Sequence, residues 1–152
     1  MANWCFNMVQ FQCEAHRLKE VEQFFSAIAA REQQQGCGQL PEFASEREGY
    51  FFAVRWEEDV LYYETKWCPN THQLVTIADH FNIGFIHSYE ESGMQLYGEA
   101  TYTGGILTTV DLDPEDFERF EYDEQQNNYL FEGQRYPGDA EILEILLERK
   151  KQ

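Results

Sequence analysis

The alternation of apolar and polar positions predicts that the chain opens with a strand and a long helix. Trp4–Phe11 predicts a strand in which Phe6 and Val9 fall on opposite faces, so that both faces are at least partly covered. From about residue 14 to residue 34, apolar side chains recur at helical spacing, and Gly36 is suited to end this helix in a left-handed conformation. The apolar stripe of the helix consists of Leu18, Val21, Phe25 and Ile28.

Two predicted hairpins, separated by a second helix, follow the first helix. Tyr50–Trp56 and Val60–Trp67 are rich in aromatic and β-branched residues, which favour strands, and an acidic turn joins them. Asn70 is suited to cap the second helix, with Gln73 at the third position. The buried stripe of that helix is Leu74, Ile77, Ala78 and Phe81, and the strands of the second hairpin are Ile83–Glu90 and Met94–Tyr102.

The order β-α-β-β-α-β-β predicts the fold class. It is typical of an α+β protein with a ferredoxin-like antiparallel sheet, βαββαβ plus an extra strand, and with both helices on one face. We assign residues 1–104 to this ferredoxin-like domain. Residues 105–152 are predicted to form an acidic C-terminal extension, ending in a helix, that packs on the same domain.

The last third of the chain supplies a helix that has to be buried. Asp113 and Pro114 are suited to begin a short helix, and Tyr129–Tyr136 predicts a further strand. The helix that follows Asp139 is apolar over more than half of its circumference. We therefore expect it to cover the second face of the sheet or to form a dimer contact.

The composition excludes a disordered acidic tail and argues against a surface that binds phosphates. The chain has 28 acidic and 11 basic residues, a net charge of −17, yet it is 43% hydrophobic and 16% aromatic. Proteins that bind nucleic acids generally carry a basic surface. The acidic residues are concentrated late in the chain, since residues 101–152 hold thirteen of them against five basic ones.

The N-terminus and the cysteines predict a cytoplasmic protein. Residues 1–10 carry neither a charge nor a long apolar run, which predicts no signal peptide, and no apolar run approaches the roughly 20 residues of a membrane helix. Cys5 and Cys13 are expected on one strand, too far apart for a disulfide. Without a C-x-x-C pair, the four cysteines (Cys5, Cys13, Cys37 and Cys68) are predicted to be reduced.

Three motifs occur in order along the first two thirds of the chain. They are Asn3-Trp4-Cys5-Phe6-Asn7, Thr65-Lys66-Trp67-Cys68-Pro69, and Tyr89-Glu90-Glu91-Ser92-Gly93-Met94 with Tyr97-Gly98 after it. They resemble the N-W-C-x-N, T-K-W-x-P and Y-x-E-x-G-M motifs of the YubB-like family of phage and plasmid proteins. The resemblance covers roughly residues 1–104 and implies a ferredoxin-like domain and an origin in mobile or phage-derived DNA. It implies no activity, because that family is functionally uncharacterised.

The residues of these motifs also have physical interpretations. Trp4 and Trp67 lie at strand ends and are predicted to fill the core. Asn7 is a polar residue within an apolar strand and is expected to bond to a neighbouring backbone. Gly98, in the middle of a strand, predicts a bulge or close packing against an aromatic ring.

No arrangement of residues predicts a metal site, a cofactor or a catalytic group. The histidines (His16, His72, His80 and His87) form no i, i+4 pair. The segment from Asp111 begins like a calcium loop but has Asp116 and Tyr122 where that loop needs Gly and Glu. Gly104-Gly105 lacks the Lys-Ser/Thr of a phosphate loop. A small enzyme of unknown reaction class is kept as an alternative function.

A binder of single-stranded nucleic acid is the second alternative, because sheets of this fold carry aromatic stacking platforms. The candidate stacking residues are Tyr50, Phe52, Tyr62, Tyr63 and Tyr97. Two features argue against it. No Lys or Arg occurs between Trp67 and Glu118, and the last helix is expected to occupy the same face.

The preferred prediction is a non-catalytic binding or accessory protein with a protein partner. The acidic C-terminal segment is predicted to dock a basic patch, as a decoy for a DNA-handling protein would. The same acids are equally compatible with a role in solubility alone, and the last helix offers a route to a homodimer. The candidate binding residues are Asp111, Asp113, Glu115, Asp116, Glu118, Glu121, Asp123 and Glu124.

Overall fold

A computed structural model describes residues 3–152, which form a six-stranded sheet, a three-stranded sheet and four α-helices. A single 3-10 turn, Ser92–Met94, joins the fourth and fifth strands. The strands are β1 (Trp4–Gln12), β2 (Phe52–Glu57), β3 (Val60–Lys66), β4 (Gly84–Glu91), β5 (Leu96–Thr103), β6 (Ile106–Asp111), β7 (Phe120–Asp123), β8 (Asn128–Phe131) and β9 (Gln134–Tyr136), and the helices are α1 (Ala15–Gln35), α2 (Thr71–Phe81), α3 (Pro114–Phe117) and α4 (Ala140–Lys151).

The six-stranded sheet confirms the predicted α+β, ferredoxin-like fold. Its order is β2-β3-β1-β4-β5-β6, and all neighbouring strands are antiparallel. The four strands β2-β3-β1-β4, connected through α1 and α2, make up the ferredoxin-like unit. The strand β5 is the predicted extra strand, and β6 extends the sheet by one more.

The main core lies between this sheet and the two long helices. Every second residue of β1 is buried, and Val9 packs in one cluster with Phe25 of α1 and Ile77 of α2. Full burial of one such side chain contributes about 1.5–3 kcal/mol to folding. The left-handed cap predicted at Gly36 is present, with φ 69°. The core is therefore formed by the residues that the helical and strand periodicities predict.

The side chain of Asn70 does not cap α2, so the predicted capping by Asn70 and Gln73 is wrong. Asn70 Oδ1 accepts a hydrogen bond from the Tyr63 hydroxyl at 2.6 Å, and Asn70 Nδ2 donates to the carbonyl of Gly49 at 2.8 Å. Gln73 Nε2 donates to two other carbonyls of the loop before β2. Both side chains therefore tie that loop to the start of α2.

Two hairpins of the last third differ from the prediction. Gly104 and Gly105, with φ 58° and 80°, form a two-residue turn from β5 into β6. The predicted single strand Tyr129–Tyr136 is wrong, because Glu132 and Gly133 form a second turn of this kind and divide it into β8 and β9. Together with β7, these two strands form the small sheet.

The helix α4 is buried against its own chain. Its apolar side chains pack with Leu112 and Phe131, and with Tyr97 of β5 and Val110 of β6 on the second face of the large sheet. The prediction that the last helix covers the second face is confirmed for the part formed by β5 and β6. The buried residues of α4 are Ile142, Leu143, Leu146 and Leu147.

None of the helices formed by residues 3–152 combines the length and apolarity needed to cross a membrane. All four cysteines are free thiols, with Cys5 buried and Cys37 and Cys68 exposed. Burial raises the pKa of the Cys5 thiol to about 11, which keeps it protonated at neutral pH.

Candidate functional site

The central part of the second sheet face is open to solvent. Phe6 of β1 lies on this face and is 56% exposed, whereas its neighbours Cys5 and Asn7 point to the helical layer and are buried. Because α4 covers only the β5–β6 part of the face, the strands β1 and β3 lie outside its cover. The sequence predicts at least partial cover on both faces of β1; on the second face Met8 is half-buried, but more than half of the Phe6 side chain is exposed.

Strand pairing places the exposed Phe6 between two carboxylates. Phe6 is directly opposite Glu64 of β3 on one side and Glu90 of β4 on the other. Adjacent strands lie about 4.8 Å apart, so the two acids flank the ring at roughly one strand spacing each. We call Glu64, Phe6 and Glu90 the acid–aromatic row.

A second line of side chains runs parallel to the acid–aromatic row. Met8 is opposite Tyr62 on β3 and Ser88 on β4, and Ser88 is opposite Glu99 on β5. The two lines form the floor of a groove of about 770 Å³, and α4 forms one wall. The side chains that α4 contributes to this wall are Glu144, Leu147 and Glu148, which share one side of the helix.

The α4 side of the groove is electronegative. Loss of solvation raises the pKa of Glu90, and the nearby Asp139 raises it further. The pKa of Tyr97 is also raised, first by burial and then by Glu90 and Glu144. Within residues 3–152, neither Glu90 nor Glu144 forms a salt bridge. A cation entering the groove would relieve this local excess of negative charge.

The opposite end of the face already holds cations over aromatic rings. The Lys66 Nζ lies 5.1 Å from the centre of the Phe52 ring and 5.9 Å from that of Trp4. The Arg55 guanidinium lies 4.7 Å from the centre of the Tyr62 ring. These contacts fall within the distance range of cation–π attraction. The aromatic rings at this end of the face therefore already bind cations of the same chain.

Trp4 and Trp67 do not fill the core, contrary to the prediction from sequence. Trp4 is 38% exposed and stacks edge-on against Phe52, with ring centres 5.0 Å apart. Trp67 is 48% exposed and has a positive φ of 71°, and its amide donates to the carbonyl of Asn3 at 2.7 Å. Both do lie at strand ends, but next to the open face and not in the core.

A buried polar network lies beneath the helical layer and includes Asn7. Asn7 Nδ2 donates to the Cys5 carbonyl at 3.1 Å and to Thr65 Oγ1 at 3.0 Å, which confirms the predicted bond to backbone. Asn7 Oδ1 lies 2.8 Å from His87 Nε2, and His87 Nδ1 lies 3.1 Å from Thr71 Oγ1. The network connects β1, β3 and β4 to the first turn of α2.

His87 is neutral in this network. Burial lowers its pKa to about 3, so the ring carries no charge at neutral pH. Since Asn7 Nδ2 is used as a donor, Asn7 Oδ1 accepts from His87 Nε2–H, and His87 Nδ1 accepts from the Thr71 hydroxyl. Asn7, Thr65 and His87 are buried and Thr71 is half-buried, so we assign the network a structural role.

Gly98 packs against an aromatic ring, as predicted. A Cβ atom added at Gly98 would lie 2.8 Å from the Tyr89 ring and closer still to the carboxylate of Asp111. The Tyr89 hydroxyl donates to Asp111 Oδ1 at 2.5 Å. Glycine at this position lets a tyrosine of β4 reach across β5 to an acid of β6.

The other motif residues lie at the same end of the sheet. Asn3 and Cys5 are at the start of β1, Pro69 follows the end of β3, and Glu91 ends β4. Glu91 Oε1 accepts a hydrogen bond from the amide of Gly93 at 3.0 Å, which orders the turn into β5. The structure thus brings the three motifs together, although they are far apart in sequence.

Four of the eight acids of the C-terminal segment are used within the chain. Besides the contact of Asp111 with Tyr89, Lys150 Nζ lies 2.6 Å from Asp113 and 2.8 Å from Asp116. Asp123 pairs with Arg135 at 3.0 Å. The other four are exposed and form no salt bridge within residues 3–152; they are Glu115, Glu118, Glu121 and Glu124.

Two of these eight acids stabilise the start of the helix α3. Asp113 and Asp116 form a capping box, in which the Asp113 amide donates to the Asp116 carboxylate at 2.7 Å. The hydrogen bonds that the Lys150 ammonium donates to both carboxylates raise its pKa. These charges hold α3 against the end of α4.

The predicted stacking residues do not lie on one surface. Phe52, Tyr62 and Tyr97 lie on or beside the open face, whereas Tyr63 points into the core and is buried. Tyr50 precedes β2 and is outside the sheet. The rings that are central to the open face are Tyr62, which is one of the candidates, and Phe6, which is not.

One group of potential metal ligands occurs on the surface. The side chains of Glu46, Glu48 and His72 place ligand atoms within 4.8 Å of one another, and all three are exposed. His72 Nε2 lies 3.6 Å from Glu46, so the pair accounts for this proximity as a surface contact.

The sequence did not indicate the acid–aromatic row. Its members come from three strands, and they become neighbours only through the pairing register, which strand periodicity leaves undetermined. The one available signal was Phe6, an apolar residue on the strand face opposite Cys5, Asn7 and Val9.

Comparison with known proteins gives a fold-level result. The profile of the family described as ferredoxin-like domain in Api92-like protein matches residues 43–132. The match begins in the loop before β2 and ends after β8, so it includes Glu64 and Glu90 but not Phe6. No curated protein and no solved structure matches the chain. The resemblance to the YubB-like family stays a prediction.

Proposed function

The chain belongs to the family of ferredoxin-like domains of Api92-like proteins, and on this premise we propose that it is a non-catalytic binding protein for a basic protein partner. The observation that carries the proposal is the acid–aromatic row on the open sheet face. An arginine or lysine side chain lying over Phe6 would contact the ring and pair with Glu64 and Glu90 on either side.

The groove to which the acid–aromatic row contributes supports a protein partner. Its floor includes the half-buried side chains of Met8 and Tyr62. Its wall on α4 carries Glu144, which forms no salt bridge within residues 3–152, and Glu148, which pairs with Lys151 at 2.8 Å. Such a surface suits a segment in which basic and apolar side chains alternate. The net charge of −17 would steer a basic partner toward the protein before contact.

We extend the proposal to an acidic decoy for a DNA-handling protein. A surface that binds phosphates carries arginine and lysine, the side chains that the groove suits. The exposed acids of the C-terminal segment would add to the attraction as an outer ring. The phage or plasmid origin implied by the three sequence motifs is compatible with such a role and is part of the proposal, as is a cytoplasmic location.

We also propose the division of the chain made from its sequence, with a ferredoxin-like domain in residues 1–104 and an extension in residues 105–152. The pairing of β6 with β5 supports packing of the extension on the same domain. The burial of α4 against the sheet supports it as well.

Single-stranded nucleic acid is the second candidate ligand. It is favoured by the exposed ring of Phe6 and the half-buried ring of Tyr62 on the face that ferredoxin-like RNA binders use, with Arg55 over Tyr62. The carboxylates of Glu64 and Glu90 would repel phosphates on either side of Phe6. We therefore rank a basic protein partner above nucleic acid.

The proposal is tested by titrating the protein into a fluorescein-labelled peptide in which arginine alternates with leucine, and measuring fluorescence anisotropy. We expect Phe6→Ala, and the pair Glu64→Gln with Glu90→Gln, each to weaken binding roughly tenfold. A peptide with glutamate in place of arginine, and an oligothymidylate, are not expected to bind.

The matched control removes two charges elsewhere, through Glu121→Gln and Glu124→Gln. If this control weakened binding and the variants of the acid–aromatic row did not, docking on the sheet face would be wrong. The acidic C-terminal segment would then be the site, as the sequence predicted.

A further inference from the structure

The two edge strands of the large sheet differ in how their outward backbone groups are protected. At the edge formed by β2, Glu32 accepts hydrogen bonds from the amides of Ala53 at 2.8 Å and Val54 at 3.3 Å. A register shift between Phe52 and Arg55 interrupts the strand there, and Gln39 pairs with Phe51 just before it. A carboxylate, a bulge and a bridging residue thus block this edge.

The edge formed by β6 has no comparable protection. Ile106 is 69% exposed and Leu107 is 45% exposed, and the sequence Ile-Leu-Thr-Thr-Val contains neither a charge nor a proline. Among the described residues, only β5 pairs with this strand. An uncharged, exposed edge of this kind is a template for pairing with another strand.

The pairing with β5 determines which backbone groups of β6 point outward. The amide of Leu112 donates to the carbonyl of Tyr97. Because backbone N–H and C=O groups alternate in direction along a strand, every second residue counted back from Leu112 directs these groups toward β5. The backbone groups of Leu107 and Thr109 therefore point away from the sheet. At the far end of the strand, Lys150 Nζ donates a hydrogen bond to the outward carbonyl of Asp111 at 3.0 Å.

We propose that β6 pairs in antiparallel fashion with β6 of a second copy, about a twofold axis at Thr108, to form a continuous twelve-stranded sheet. In this register Leu107 of each copy faces Thr109 of the other, and the two pairs exchange four hydrogen bonds. These four hydrogen bonds use only the outward backbone groups of Leu107 and Thr109.

The side chains of β6 are complementary to themselves in this register. Ile106 of each copy faces Val110 of the other on the second face, so the most exposed apolar residue of the strand gains an apolar partner. Thr108 faces Thr108, and Asp111 faces the glycine turn rather than another acid. A second copy therefore fits this edge without a like-charge contact, despite the high negative charge of the chain.

The apolar side chains of α4 are already buried within their own chain, which is why we place the contact on β6. Pairing of one short strand buries little surface, so a weak and concentration-dependent dimer is expected. Sedimentation velocity over a concentration series should show an average mass that rises toward twice that of one chain.

Two substitutions at one position test the edge. Thr109→Pro removes an outward amide without removing a bond to β5, and proline is tolerated at such edge positions. We expect it to raise the dimer dissociation constant by about tenfold or more, whereas Thr109→Val, which keeps the amide, leaves it unchanged. Circular dichroism would verify that both variants are folded.

A cross-link tests the register independently of folding in the proline variant. In a background of Cys37→Ser and Cys68→Ser, Thr108→Cys should form an intermolecular disulfide on treatment with glutathione disulfide, because facing residues of such a pair lie about 4.5–5.5 Å apart. Ile106→Cys should not cross-link to itself. A single-chain mass at every concentration, or a dimer that Thr109→Pro leaves intact, would overturn the proposal.

Discussion

The two faces of the six-stranded sheet differ in what their side chains do, although the same strands supply both. On the helical face, Val9 and Phe85 are fully buried and the polar Asn7 is hydrogen-bonded to its neighbours. On the other face, Phe6 is exposed between two acids. Alternate residues of one strand thus serve folding and, in our proposal, binding. Substitutions on the helical face should therefore lower the free energy of unfolding, and substitutions on the open face should weaken binding.

The largest expected effect is on stability, from substitutions of two phenylalanines on opposite faces. Phe85→Ala removes a fully buried ring and should lower the free energy of unfolding by about 3–5 kcal/mol. Phe6→Ala removes an exposed ring and should lower it by less than about 1 kcal/mol. Urea denaturation followed by circular dichroism measures both. Similar losses for the two variants would mean that the second face is covered in solution.

A smaller effect is expected from pH, because of His87. Its pKa is about 3 in the folded protein and about 6.5 when unfolded, so the unfolded state binds the extra proton between these values. Its contribution to stability is complete above pH 6.5 and is lost as the pH falls toward 3. Between pH 7 and pH 5 the free energy of unfolding should fall by about 2 kcal/mol.

The control for this prediction is His87→Gln, which removes the titrating group. The variant should be less stable at pH 7, but its stability should change much less between pH 7 and pH 5. An unchanged pH dependence in His87→Gln would show that other groups cause it and that the histidine is not enclosed.

The smallest stability effect is expected in the groove. Glu90→Gln replaces a carboxylate that its surroundings disfavour in the charged form, since its pKa is raised. Stability at pH 7 should therefore be unchanged or rise by up to about 0.5 kcal/mol, while binding of the arginine–leucine peptide weakens. A loss of stability together with unchanged binding would assign Glu90 a structural role instead.

The first two thirds of the fold could be predicted because helix and strand periodicity, together with turn residues, identify these elements locally. The strand β6 was missed because its residues are nearly all exposed, so it shows no alternation. Its turn, Gly104-Gly105, was considered only as a phosphate loop. The positions of Trp4 and Trp67 at strand ends predict burial in the core, but the two side chains lie where no helix covers the sheet.

The acidic segment shows a further limit of sequence reasoning. Eight acids in a short segment predicted a docking surface, yet Asp113 and Asp116 cap a helix and pair with Lys150. A run of like charges does not reveal which members have partners elsewhere in the chain. Docking by the exposed remainder stays a prediction, and the paired substitutions described above distinguish it from docking on the open face.

The central claim is that the open sheet face binds a basic segment. The most direct test is a nuclear magnetic resonance titration of the isotope-labelled protein with the arginine–leucine peptide, followed through backbone amide shifts. We predict the largest changes at Phe6, Glu64 and Glu90, with smaller changes along the groove wall of α4. Changes centred on residues 115–124, or spread evenly over the surface, would contradict the claim.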